Sequence, residues 1–139
     1  MIQLPKGTKI AEKMVFIGLA GCLQCQYLFP LMEFAKKNQL ANEIVAETKD
    51  SKEDYETRVF ALMKQLNITP DFVPLPVPFL YIEIGEMSRI TQQEVIEETV
   101  IGIREELDEA DEFDYLDNEF ADPHQILNYL TKIVTDTVF

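Results

Sequence analysis

The chain contains no tryptophan, a single histidine (His124) and only two cysteines, Cys22 and Cys25. Two cysteines and one histidine do not supply the four ligands that a structural zinc site takes within one chain. No apolar run reaches the ~18 residues of a membrane-crossing helix, so no span is expected. Positive charge is scarce: 12 Lys and Arg stand against 25 Asp and Glu, a net charge of −13. Nucleic acid and anionic membrane are therefore excluded as expected partners, because both are polyanions. Internal repeats, low-complexity tracts and glycine-rich phosphate loops are absent. The first residues, MIQLPKGTKIAEK, place no apolar core before their charges, so no secretory signal is read and a cytoplasmic location is expected. In a reducing compartment a cysteine pair points to catalysis or metal binding before it points to a structural disulfide.

What is present suits one domain over residues 1–139, with 47% hydrophobic residues to build its core. Its most informative stretch is Met14 to Pro30, MVFIGLAGCLQCQYLFP. The apolar run Met14–Leu19 reads as a buried strand, and Ala20-Gly21 break it. Cys22 and Cys25 follow at C-x-x-C spacing. Leu28, Leu31, Met32 and Ala35 then recur at helical spacing, predicting a helix over about 22–40. The cysteines thus fall at the N-terminal end of a helix, where unpaired N–H groups carry partial positive charge. A thiolate is stabilised there, so the pKa of a thiol should fall below its ordinary ~8.5. Thiolate is the form that attacks disulfides, and the second cysteine is near enough to close a disulfide with the first. Pro30, five residues after Cys25, should kink the helix.

With Cys22-Leu23-Gln24-Cys25 and Pro30 in this context, the chain resembles the thioredoxin superfamily, whose active-site helix carries C-x-x-C followed by a proline at this spacing. The resemblance covers about residues 14–134. It implies an α/β, thioredoxin-like three-layer fold with a mixed four-stranded sheet in the order β-α-β-α-β-β-α, carrying here an acidic insertion before the C-terminal helix. The short N-terminal region, read as a loop or arm over 1–13, is nearer the minimal arrangement of glutaredoxins.

Further along, Glu43–Thr48 reads as a second strand through Ile44 and Val45. Ser51 is a candidate N-cap for an amphipathic helix marked by Tyr55, Val59, Leu62, Met63 and Leu66 and ended by Asn67. Three prolines exclude regular helix from Thr69–Val77. Phe79–Ile84 reads as a strand, and Pro78 stands directly before it. The resemblance implies a cis proline at that place, packed against the cysteines, with the Val77 backbone free to pair with an extended substrate. Pro76 is the competing position, but it would put Pro78 inside the strand. The same resemblance puts Gly21, Leu23 and Gln24 beside the substrate together with Val77 and Pro78.

Gly85-Glu86 reads as a turn, and 87–98 as either helix or the arms of a hairpin. Thr99–Ile103 is predicted as the fourth strand, ended by Gly102. Glutaredoxins often carry Gly-Gly, a spacer and two acids here to hold glutathione, whereas this chain reads Gly102-Ile103-Arg104-Glu105-Glu106. Glu105–Glu119 is dense in acids, a solvated face or an acidic docking surface, and a further helix is possible near 104–116. Asp122-Pro123 resembles the start of a C-terminal helix with Ile126, Leu127, Leu130, Ile133 and Val134 as its apolar stripe.

The function expected is thiol–disulfide oxidoreductase, with Cys22 and Cys25 catalytic: Cys22 attacks as thiolate and a more buried Cys25 resolves the mixed disulfide. The partner is a disulfide-containing protein or glutathione, which is also a candidate reductant; no cofactor and no metal are called for, and a monomer is expected. The alternative is a non-catalytic interaction module using its acidic surface. A cluster shared between two subunits, as in some glutaredoxins, would show as visible absorbance. Departures from thioredoxins are Gly21 in place of tryptophan before the first cysteine, the Leu23-Gln24 spacer, and a first strand with no acid to assist proton transfer.

Overall fold

The computed structural model describes residues 9–68, 77–107 and 123–138. The elements run β1 (Ala11–Leu19), α1 (Leu23–Lys37), β2 (Ala41–Lys49), α2 (Lys52–Gln65), β3 (Phe79–Ile84), β4 (Met87–Ile90), α3 (Gln93–Leu107) and α4 (Pro123–Val138). The four strands form one mixed sheet in the order β2-β1-β3-β4. β1 pairs parallel with β2, from Ala11↔Ala41 to Leu19↔Lys49. It pairs antiparallel with β3, from Lys13↔Glu83 to Ile17↔Phe79. A tight turn at Gly85-Glu86 returns the chain into β4, which pairs antiparallel with β3.

From Met14 to Gly18, β1 is a continuous buried apolar run, the pattern of a central strand covered on both faces. Met14 and Phe16 face the layer built by α1, α3 and α4, in a core that includes Leu28, Leu31, Val100 and Leu130. Val15 and Ile17 face α2 and pack with Tyr55, Val59, Met63 and Phe79. The result is helix, sheet and helix in three layers. α2 is capped by Ser51, whose hydroxyl accepts the Asp54 N–H at 3.1 Å. Just past its end, Asn67 takes φ 59°, a left-handed conformation that asparagine tolerates. β2 is fastened to α2 by Glu47, which receives Arg58 Nη2 at 2.7 Å and Arg58 Nε at 3.0 Å. That fork and Lys49 outweigh the effect of partial burial and hold the Glu47 carboxyl down at about 2.

Three expectations are corrected. Thr99–Ile103 are not the fourth strand; they lie inside α3, and Gly102 is a mid-helix residue. Their β-branched side chains suit a strand locally, but Ile96, Val100 and Ile103 are buried at spacings of four and three, so one helical stripe meets the core. The fourth strand is instead Met87–Ile90, and the ambiguous stretch 87–98 divides between it and the start of α3. β1 begins at Ala11, within the region read as an arm. Of the acidic insertion and the possible extra helix, residues up to 107 belong to α3 and the rest lie outside the described residues.

Candidate functional site

The cysteine pair owes its place to the β1–α1 turn. Gly21 sits at φ 86°, a region that side chains disfavour, and lets the chain reverse within two residues. The Cys22 N–H then donates to the Leu19 carbonyl at 3.1 Å, closing the turn. Cys22 becomes the N-cap of α1, with extended backbone (φ −85°, ψ 118°). Its Sγ accepts the backbone N–H of Cys25 at 3.1 Å. Sulfur therefore occupies the position that a serine or aspartate oxygen fills in most helix caps. The first turn of α1 carries no acidic residue to oppose a thiolate there.

Cys22 and Cys25 are joined in a disulfide, with Cα atoms 5.2 Å apart. That separation lies within the usual range for bridged cysteines. Cys22 is partly exposed, whereas Cys25 is only 3% exposed. Cys25 can sink this far because Gly18 lies beneath it. A Cβ on Gly18 would stand 3.3 Å from Cys25 Cβ and 3.1 Å from the Phe16 ring. Phe16 in turn packs on Phe29 of α1, with ring centroids 6.2 Å apart.

Leu23 and Gln24, between the cysteines, differ in placement. Leu23 is 45% exposed, an apolar side chain held out beside the disulfide. The Gln24 side-chain oxygen accepts Gln93 Nε2 at 2.8 Å, so the first residue of α3 reaches the cysteine turn. Val77–Pro78 is a cis peptide bond, as the resemblance implied, and Pro78 is buried. Val77 and Cys22 both pack along the margin of the core shared by α1, α3 and α4. Tyr55 of α2 hydrogen bonds with the Phe79 backbone next to Pro78, and burial pushes its phenol well above the ordinary value.

Gln93, Gly18 and Phe16 belong to this neighbourhood without having been singled out in the sequence. Gly18 carried a faint signal, since a glycine inside an apolar strand often marks close approach by another part of the chain. Gln93 carried none. Gly102 is not at a strand end and does not fill the glycine position of a glutathione-binding turn. Among the described residues, no three or more His, Cys, Asp or Glu side chains gather to hold a metal ion, and no helix is long and apolar enough to cross a membrane. The arrangement is a mixed α/β sheet with a C-x-x-C pair at disulfide distance, which is compatible with a thioredoxin-like fold and with redox chemistry. Compared with protein-family models, with curated proteins and with solved structures, the chain matches none.

Proposed function

We propose that this protein is a thiol–disulfide oxidoreductase of thioredoxin-like fold, working in a reducing compartment such as the cytoplasm. The observation that carries the reading is the cap of α1: Cys22 Sγ receives a backbone N–H while bonded to a buried Cys25. Sheet order β2-β1-β3-β4, helices on both faces and the cis bond before β3 support the fold assignment.

In the reduced protein, Cys22 reacts as the thiolate, stabilised by the Cys25 N–H and the helix N-terminus. It attacks one sulfur of a substrate disulfide. A Cys22–substrate disulfide forms, the substrate S–S bond breaks, and one substrate thiolate departs. That thiolate takes the Cys25 proton, a role left open because Phe16 and Gly18, the β1 residues beneath Cys25, bring no carboxylate, and Glu12, the one acid of β1, is exposed near the other end of the strand. Cys25 sulfur then attacks Cys22 sulfur, forms the intramolecular disulfide and releases the second substrate thiolate, which is protonated by water. Two electrons pass from the protein dithiol to the substrate. A second thiol reductant, a dithiol or glutathione, returns the pair to the reduced state. Leu23, Gln24, Gly21, Val77 and Pro78 border the substrate in this reading.

The test is turnover of a model protein disulfide such as insulin. Cys22→Ser abolishes it, and Cys25→Ser accumulates mixed disulfides. Full dithiol turnover by Cys25→Ser would sink the assignment. Titration of the pair against glutathione and against a dithiol standard tells a reductant from an oxidant and from an inert pair.

A further inference from the structure

Behind the cysteine pair, on the side of α1 that faces the end of β2, lies a cleft of about 410 Å³. Leu19 and Ala20 from β1 and its turn form one wall, and Phe29 and Pro30 from α1 form the other. Thr48 closes the side towards β2, and Cys25 borders the cleft. None of its lining residues is charged. The volume falls within the usual range for small-ligand pockets, roughly 300–1,000 Å³.

The position has a topological cause. β1 and β2 are adjacent and parallel. From their carboxyl ends the chain leaves in opposite directions: α1 covers the Met14–Phe16 face, and α2 covers the Val15–Ile17 face. The cleft thus lies outside the carboxyl ends of these two strands, beside the start of α1. Leu19, Ala20 and Thr48 stand at those two strand ends.

Resting on the oxidoreductase reading, we infer that this cleft seats an uncharged apolar side chain next to the reacting cysteine of a polypeptide disulfide. Two observations select that occupant. The cleft touches Gly21 and Cys25, which bracket Cys22, and successive Cα atoms are about 3.8 Å apart, so a residue beside the bound cysteine reaches it. The lining is neutral in a chain of net charge −13, so the carboxylates of glutathione disulfide find no cation there and meet a repelling field. The enzyme's substrates are therefore polypeptide disulfides with an aromatic or branched aliphatic neighbour, and glutathione disulfide is a poor one.

Two peptides, each closed by one disulfide and differing only in Phe or Ala beside the reacting cysteine, test this against glutathione disulfide as a third substrate. The expected kcat/KM for the Phe peptide exceeds that for the Ala peptide by about tenfold, as for a side chain entering an apolar pocket. Thr48→Phe, which fills the cleft from an exposed position, brings the ratio close to one; its fold is checked by circular dichroism, and the comparison on the unaltered protein stands without it. Equal rates on the two peptides, or faster turnover of glutathione disulfide, overturn the inference and leave the oxidoreductase reading standing. No turnover of any of the three overturns both. A Phe preference that fades as protein concentration rises, with a dimer seen by sedimentation, gives the cleft to a second copy of the chain and also overturns it.

Discussion

The backbone N–H of Cys25 donates to Cys22 Sγ at 3.1 Å, so each cysteine of the pair has a separate task in the local structure. Cys22 caps the helix with its sulfur, and Cys25 lends the amide and buries its own side chain. In the reduced protein this asymmetry should appear as chemistry. Cys22 is expected to alkylate at least about tenfold faster than Cys25 at neutral pH, because thiolate content and access both favour it. Mass spectrometry of iodoacetamide-labelled peptides over time measures the two rates, and equal rates would remove the cap as the source of reactivity.

Gly18 under Cys25 leads to a packing prediction. A methyl group there meets Cys25 Cβ at 3.3 Å and the Phe16 ring at 3.1 Å. Phe16 is fully buried and Cys25 is fixed by the helix, so neither retreats freely. Gly18→Ala is expected to destabilise the fold by about 1–3 kcal/mol, the usual range for overpacking a core. Urea unfolding of the oxidised protein reads it, and an unchanged midpoint would contradict the geometry.

Glu47 predicts a pH dependence. Its carboxyl ionises near 4.5 when unfolded and is held at about 2 in the fold, chiefly by the Arg58 hydrogen bonds. A depressed pKa gives stabilisation that is complete above about 4.5 and is lost as pH falls towards 2. The pair is partly exposed, so Glu47→Gln should cost only about 1 kcal/mol at pH 7. The gap between variant and parent should close progressively below pH 4.5. Unfolding curves at pH 7 and pH 3 check both parts; a gap that widens in acid would reverse the sign.

A buried pair of hydroxyls ties the β4–α3 connection to the C-terminal helix. Thr91 Oγ1 and Thr137 Oγ1 are 2.9 Å apart, and the Thr137 hydroxyl also reaches the Ile133 carbonyl at 2.6 Å. Thr137→Val strips Thr91 of this buried partner and is expected to cost about 1–3 kcal/mol. The double change Thr91→Val with Thr137→Val should cost less than the sum of the single changes. Additive losses in a double-mutant cycle would show that the two hydroxyls act independently.

How far the sequence discloses this molecule varies by element. β3 is legible in full as Phe79–Ile84, because Pro78 and Gly85 punctuate it on both sides. α2 declared its start through Ser51 and its end through Asn67. β4 is legible only as one of two options over 87–98, a hairpin arm or helix, because its four residues are mostly exposed and show no apolar alternation. α3 misled, since Thr99, Val100 and Ile101 prefer strands as single residues, while the stripe that decides the matter is spread across Ile96, Val100 and Ile103. At the site, the cysteine spacing and Pro78 are local features and could be read. The meeting of Gln24 with Gln93 spans 69 positions of chain, and no local pattern announces it. The cleft depends on how β2 ends against α1, which is likewise decided only when distant segments assemble.

β1 is paired on one side by β2 and on the other by β3, and the second partner starts 60 residues after β1 ends. On a ribosome adding ~5–20 residues per second, roughly 3–12 s pass before Phe79 exists. In that interval β1, α1 and β2 can close as a unit, because they are consecutive and parallel. Val15 and Ile17 await α2, and the other edge of β1 has no strand to meet it. Biosynthesis thus passes through a half-sheet with an open apolar edge, the kind of surface that draws chaperones or other nascent chains. Release from that exposure comes with the segment that begins at Pro78, so slow codons that delay the emergence of Phe79–Ile84 would lengthen the hazard.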